Sequence, residues 1–526
     1  MSAPIKVGSS MYDVILVPSM STIRQSTLNR LRKFHAAGGL VIFVGDVPHL
    51  VGASPSPEAR QLASQASVIP LRRRDILSAL NHTRDVEIQL QPGTSFLSHI
   101  VPPKRTLLYQ LREDGEDRWV FICNTDRQLA HSNSVIKLKG QWDITQYDAM
   151  EGTHCLLESS YLKGWTSFSW SFPAHGSLLL RAEPRTSAPG GQKISEREKN
   201  WRECGHVSPP RSFRLSEPNV LMLDMAEFRV GSDDSLSWEP AEELLRLDDR
   251  LRERYGFPTK GGSYAQPWAT RRDEHAKTYQ LQLRFQFTTS VVIEDPQLAI
   301  EDPELHLIHL NGTEVSTMKT TGYFVDRHIP TVKLPPIQPG SHSLIATREY
   351  RSDSNLEWMY LLGSFGVQVA GRTATITKLP TTIQFGDWTT QGLPFYAGNV
   401  TYDCDFIVPE SMSERTPNLA VQVDRFAGPL LRVRLDEDEL GKPLAFAPYI
   451  CPLQRADGSA LTPGSRHTLK ITLYGSRINA FGQLHNSNDD YFWFGPNAWR
   501  TSGDEWCYEY RIKKAGILIT PKLLVA

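Results

Sequence analysis

The spacing of apolar residues changes along this chain, and the changes divide it. Tyr12–Pro18 (YDVILVP) is a short unbroken apolar run rich in β-branched residues, the pattern of a strand buried on both faces of a parallel sheet. Ile23, Leu28, Leu31 and Phe34 then recur near helical spacing, with Ser21 or Thr22 placed to cap the helix and Gly38-Gly39 to end it. Leu40–Val44 is a second apolar run, closing at Gly45-Asp46. Strand, helix and strand make a right-handed βαβ crossover. Beyond Pro48 come helical patches at Ala59–Ser64 and Arg74–Ala79, and one weak strand at Val68–Leu71, cut by Pro70. A complete doubly wound sheet needs more parallel strands than residues 1–100 offer, so a partial α/β domain is expected there.

From Thr106 the period drops to two. LLYQL, WVFICN, SVIKLKG and WDITQYDA alternate, TSFSWSF and GSLLLRA follow, and turns fall at Glu113-Asp114-Gly115 and Glu151-Gly152. The pattern predicts a small antiparallel β-sandwich over residues 101–183. Glu183–Arg202 is rich in Pro, Gly, Ser and charge, the composition of a linker. Residues 184–272 are therefore expected to be a linker that carries one strand, Asn219–Asp224, and one amphipathic helix, Glu239–Tyr255. Leu244, Leu245, Leu247 and Leu251 would form the apolar side of that helix.

Two further regions, 273–376 and 377–526, follow one plan. In the first, Tyr279–Phe287 alternates, His306–Leu310 runs into the hairpin signal Asn311-Gly312, and Pro339-Gly340-Ser341 introduces Ser343–Thr347. In the second, Leu419–Val423 and Leu431–Leu435 alternate, the latter into the acidic turn Asp436-Glu437-Asp438, and Pro463-Gly464-Ser465 introduces Thr468–Tyr474. The segments PGSHSLIAT and PGSRHTLKIT correspond directly. Two copies make a duplicated module and not a solenoid.

Composition narrows the function classes. The formal net charge of the 526 residues is -1, which leaves no basic footprint for nucleic acid. No apolar stretch is long enough to span a membrane. The N-terminus lacks the basic and apolar regions of a signal peptide; the expected compartment is the cytoplasm if Met1 is the genuine start, and secretion if the start is cut short. Six cysteines, Cys123, Cys155, Cys204, Cys404, Cys451 and Cys507, include no CxxC pair, so neither a zinc site nor a disulfide framework is indicated. Sequons at Asn81, Asn311 and Asn399 matter only for a secreted chain, and Asn311 and Asn399 also suit turns.

The junction between the two copies is Gln384–Tyr402, QFGDWTTQGLPFYAGNVTY. Together with the duplicated PGS turns and the aromatic C-terminal segment, it resembles the sugar-binding-type jelly rolls of large glycoside hydrolases, in particular α-L-rhamnosidase-like and β-galactosidase-like proteins. AAGGLVIFVGDVP near the start is similar to the Rossmann-like domain that follows the catalytic barrel in several enzymes of that kind. The resemblance implies a mainly β, multi-domain chain: a partial Rossmann-like α/β segment followed by antiparallel β-sandwiches, two of them galactose-binding-like jelly rolls. It further implies the non-catalytic C-terminal half of a glycosidase, with accessory, carbohydrate-facing domains and a barrel encoded upstream or on a separate chain. An active hydrolase that needs that barrel, and a structural or partner-binding remnant without sugar affinity, are the alternatives.

Sugars present an apolar C–H face that stacks on aromatic rings and hydroxyls that bind carboxylates, amides and guanidinium groups. The candidate carbohydrate-binding residues are Trp388, Gln391, Tyr396, Trp493, Asn497, Trp499 and Arg500. The same aromatics could instead seal a sandwich end, with Arg500 paired to Asp504 or Glu505. Asp489, Asp490, Asp504 and Glu505 are acids in aromatic surroundings, but neighbours along a strand point to opposite faces, so no catalytic carboxylate pair is assigned. Calcium is a possible ligand of Asp436-Glu437-Asp438 or of Asp489-Asp490. There is no GxSxG elbow for a Ser-His-Asp triad, and His309, His328 and His485 read as isolated structural histidines.

Overall fold

The computed structural model describes residues 5–8, 10–90, 106–150, 152–185, 201–233, 235–259, 277–410, 418–455, 459, 461–488 and 496–526. The chain is mainly β, built from several antiparallel sheets. It divides into two compact units, Met1–Glu196 and Arg197–Ala526.

The first unit begins with the expected α/β piece. Val14–Val17, Leu40–Val44 and Ser67–Ile69 form a three-stranded parallel sheet in that order. Helices Gln25–Ala36 and Glu58–Gln65 bury Leu28, Leu31, Phe34, Ala59 and Leu62 against Val17, Val41 and Phe43. Neither Ser21 nor Thr22 caps the first helix: its N-cap is Arg24, without a side-chain cap bond, and Thr22–Ile23 instead pairs with Leu50–Val51. Gly39 is required by close packing, because a Cβ there would stand 2.4 Å from the Phe34 ring. The antiparallel sandwich follows, its two sheets enclosing Val120, Ile122, Ile136, Leu138, Ile144, Phe168 and Leu180. One of its strands, Val86–Gln89, comes from the region read as α/β.

The second unit holds two β-sandwich cores. In the first sandwich, one sheet runs in space through Met225–Val230, Tyr279–Thr289, Gly340–Tyr350, Leu307–Leu310 and Thr313–Val315. In the second sandwich the corresponding sheet runs through Ser212–Leu215, Val400–Ile407, Arg466–Tyr474, Leu430–Leu435 and Lys442–Leu444. The order is the same: an early strand, the long first strand, the strand after the PGS turn, then a hairpin. The hairpin at Asn311-Gly312 forms as its sequence requires, with φ of +51° and +80° at the two turn residues.

Residues 202–255 contribute strands and a helix to both sandwiches, while most of the Pro/Gly/Ser-rich stretch Glu183–Arg202 lies outside the described residues. Arg202–His206 pairs with Lys522–Val525, Ser212–Leu215 with Val400–Ile407, and Asn219–Leu223 with Met359–Gly363. Each partner lies more than a hundred residues later, so no local pattern announced it. Glu239–Glu243 is a strand, and the helix covers only Leu244–Tyr255. Its apolar side is as expected, with Leu244, Leu245, Leu247 and Leu251 all in the first sandwich core.

Candidate functional site

The junction stretch ties the two cores together. Phe395 is buried in the first core, whereas its neighbours Leu393 and Tyr396 and the earlier Trp388 are buried in the second. The chain bends at Pro394 and Phe395, so one short segment serves both. Hydrogen bonds hold it: Val367 N–H donates to the Gly392 carbonyl, Trp388 N–H to the Ala515 carbonyl, and the Asn219 side-chain amide to the carbonyls of Phe365 and Gly392.

Beside this stretch lies an open cleft of about 720 Å³, within the range of small-ligand sites. One wall is the hairpin of Gly366–Ala370 and Thr373–Thr377, continuing to Lys378 and Pro380; the other is the turn from Thr389 to Pro394. Tyr510 and Ile512 complete the lining. Gln368, Thr377, Thr390 and Gln391 bring amides and hydroxyls, while Tyr510 and the prolines bring apolar surface.

A buried polar chain anchors Tyr510. Its backbone N–H donates to the Gly371 carbonyl, its ring meets Phe395 edge-on at 5.0 Å, and its hydroxyl donates to Asp224 at 2.6 Å. The second Asp224 oxygen accepts from His485 Nε2 at 2.8 Å, and His485 Nδ1 meets the Cys507 carbonyl at 3.0 Å. Asp224 and His485 are 1% and 2% exposed. Burial works against the imidazolium, but the hydrogen bond and charge of Asp224 outweigh it and raise the His485 pKa. His485 is thus not the isolated histidine that the sequence suggested.

Behind His485 sits Glu243, also 1% exposed. It caps the helix Leu244–Tyr255 through the N–H groups of Leu245 and Arg246, and accepts from Trp358 Nε1. Burial, opposed by those donors and aided by the charge of Asp224, pushes its pKa up to about 7. Glu243, His485, Asn486, Trp499 and Trp506 line a small enclosed space there.

Of the residues chosen from sequence, those that are described do not meet at one surface. Trp388 and Tyr396, each 1% exposed, are core side chains of the second sandwich, and the Tyr396 hydroxyl donates to the Asn399 carbonyl and accepts from Ser216 N–H. Trp499 packs on the first core, its Nε1 donating to the Phe481 carbonyl. Trp388 and Tyr396, buried in this way, leave no face for a sugar, whereas Trp499 is half-buried. Arg500 pairs with Asp249 and Asp248, not with Asp504 or Glu505. Gln391 lines the cleft, though its amide also binds the backbone of Gln384 and Asp387. Trp493, Asp489 and Asp490, together with the Asn497 side chain, lie outside the described residues.

In the acidic turn, Asp438 accepts from the N–H groups of Leu440 and Gly441, and Asp436 from Thr468 N–H. Among the described residues no group of three or more His, Cys, Asp or Glu side chains could hold a metal ion. Asp436, His467 and Ser465 do fall in series, with Asp436 Oδ2 2.7 Å from His467 Nδ1 and His467 Nε2 2.7 Å from Ser465 Oγ. Ser465 Oγ, however, also donates to the Thr462 carbonyl within its own turn. The first sandwich repeats the arrangement with an amide: Asn311 accepts from Ser343 N–H and donates to His342 Nδ1. A feature shared with a copy that lacks the acid and the serine contact is a turn staple.

No family model and no curated protein matches the sequence. Solved structures to which the chain is similar include a rhamnosidase from Novosphingobium sp. PP1Y, at 12% identity and TM-score 0.43, covering 98% of this chain and 34% of that one. They also include an α-L-rhamnosidase from Streptomyces avermitilis, at 11% identity and TM-score 0.23, covering 84% and 39%. A β-galactosidase from Bacillus circulans sp. alkalophilus matches at 11% identity and TM-score 0.16, covering 32% and 33%. The chain thus spans roughly a third of the length of these enzymes. At such low identities and TM-scores no residue role transfers from them.

Proposed function

We propose that the chain is an accessory, carbohydrate-facing part of a glycoside hydrolase-type protein, and that its sugar contact is the cleft beside the junction stretch. In this reading the two sandwiches are galactose-binding-like jelly rolls, and catalysis belongs to a barrel upstream or on another chain. The observation that carries it is Tyr510: a ring on the cleft lining, held by its hydroxyl on Asp224, with amide and hydroxyl side chains around it. An anchored ring beside polar groups suits a sugar, which offers an apolar face and hydroxyls together. Of the sequence-based candidates, Gln391 takes part. Titration of the full chain with a glycan panel tests the proposal. At least one glycan should bind, and Tyr510→Ala should weaken it about fivefold, the size of one stacking contact. Gln368→Ala, an exposed change, should weaken binding without moving the melting temperature. No binding by the parent across the panel would sink the proposal. Aryl rhamnosides and galactosides should show only background hydrolysis.

A further inference from the structure

The cleft carries an asymmetry of charge. Lys378 is the one charged side chain among its lining residues, and no carboxylate lines it. Lys378 is exposed, and no carboxylate among the described residues pairs with it. Its backbone is fixed: a Cβ on Gly366 would lie 2.6 Å from the Lys378 carbonyl oxygen, so strand and chain are in close contact there. Two residues on, Pro380 packs against Gly392 across the cleft. The ammonium therefore sits on a flexible stem at a fixed point of the rim.

The acid behind the lining does not offset this. Asp224 is buried, and its two oxygens are taken by the Tyr510 hydroxyl and His485 Nε2. An exposed acid, Glu509, approaches the hairpin at Gly371, and the Asp387 carboxylate is engaged by the backbone and hydroxyl of Thr389. Glu509 stands at the rim and not in the lining.

We infer that the cleft selects an anionic oligosaccharide, one bearing carboxylate or sulfate groups, and that Lys378 is the residue that selects it. The inference rests on the carbohydrate-facing reading above and adds the class of sugar. Lys378 supplies a compact point charge for an oxyanion, the polar side chains bind hydroxyls, and the Tyr510 ring takes a sugar face. Glu509 opposes the same ligand from the rim.

The test is a set of calorimetric titrations of the full chain with matched ligands. One pair is an oligogalacturonate and its fully methyl-esterified form; the other is a sulfated galactan oligosaccharide and its desulfated form. The acidic member of at least one pair should bind more tightly by about fivefold, the size of one partly exposed charge contact. The two pairs distinguish carboxylate from sulfate. Lys378→Gln should abolish the preference, while Glu509→Gln should increase it. Added salt should erode it. Equal binding of acidic and neutral members, or a preference that survives Lys378→Gln, overturns the inference while leaving the carbohydrate-facing reading intact. If no member of either pair binds and the glycan panel is also negative, both fall together.

Discussion

The two sandwiches of the second unit share a strand order but not an interior. The second is filled almost wholly by apolar side chains, from Trp388 and Tyr402 to Leu469 and Leu473. The first adds the helix Leu244–Tyr255 and, with it, buried charge: Asp224, Glu243, Asp248 and Arg252 are all at most 2% exposed. Arg252 pairs with Asp248 at 3.0 Å and donates to the carbonyls of Pro258, Ser352 and Ser354, so that group is satisfied in place. Asp224 and Glu243 instead lie along the path to Tyr510 and the cleft. One strand order occurs twice, and among the described residues Asp224 and His485 stand behind the cleft. The lesson is that the candidate site is found by asking where two cores of one strand order differ.

The largest expected effect lies in the apolar copy. Trp388→Ala should cost roughly 3–5 kcal/mol by opening a cavity in a packed core. Differential scanning calorimetry should show a lowered transition for the second unit. A change within about 0.5 kcal/mol, the scale of surface substitutions, would mean that this ring is not packed as described.

The charged copy should respond to pH. Glu243 has its pKa raised from 4.5 to about 7, chiefly by burial. A raised folded-state value means that the folded form holds the proton more tightly. The resulting stability is present in full below pH 4.5 and is lost as pH rises through about 7. His485 is raised from 6.5, so its contribution also disappears with rising pH. Denaturant midpoints should therefore fall between mildly acidic and mildly alkaline buffer, by about 3 kcal/mol from Glu243. Glu243→Gln should flatten most of that slope. A slope unchanged in the variant would remove Glu243 from the explanation.

The PGS turns give a smaller test. Asp436 accepts from His467 Nδ1–H, whereas Asn311 donates to His342 Nδ1 while His342 Nε2–H donates to Gln338. Asn311→Asp would place an acceptor against an acceptor unless His342 is doubly protonated. It should be near neutral in acid and destabilising by about 1 kcal/mol in alkaline buffer, the scale of one hydrogen bond. Asp436→Asn should cost a similar amount. Equal behaviour of Asn311→Asp at all pH values would contradict the assigned tautomers.

The sequence conveyed what local pattern can convey. The correspondence of PGSHSLIAT with PGSRHTLKIT was legible, and the two segments occupy strands at the same place in their sheets. The hairpin at Asn311-Gly312 was legible because its φ values demand those residues. Arg202–His206 and Ser212–Leu215 were not, because short polar strands take their identity from partners far along the chain. Trp388 and Tyr396 were assigned to a sugar face because an aromatic that stacks on a ligand and one that fills a core look the same in a sequence. Asp224, Glu243 and His485 were missed as a group because no spacing connects residues so far apart. The one available signal was Glu243 placed just before the helical pattern at Leu244, where a carboxylate caps.

Carbohydrate binding at the cleft is measured most directly by hydrogen–deuterium exchange of the full chain with and without a saturating oligosaccharide drawn from the panel. Binding there predicts slowed exchange in residues 366–378, 389–394 and 510–512, with the strand Arg466–Tyr474 unchanged. Exchange that is unaffected in those three segments, or slowed only elsewhere in the chain, would contradict it.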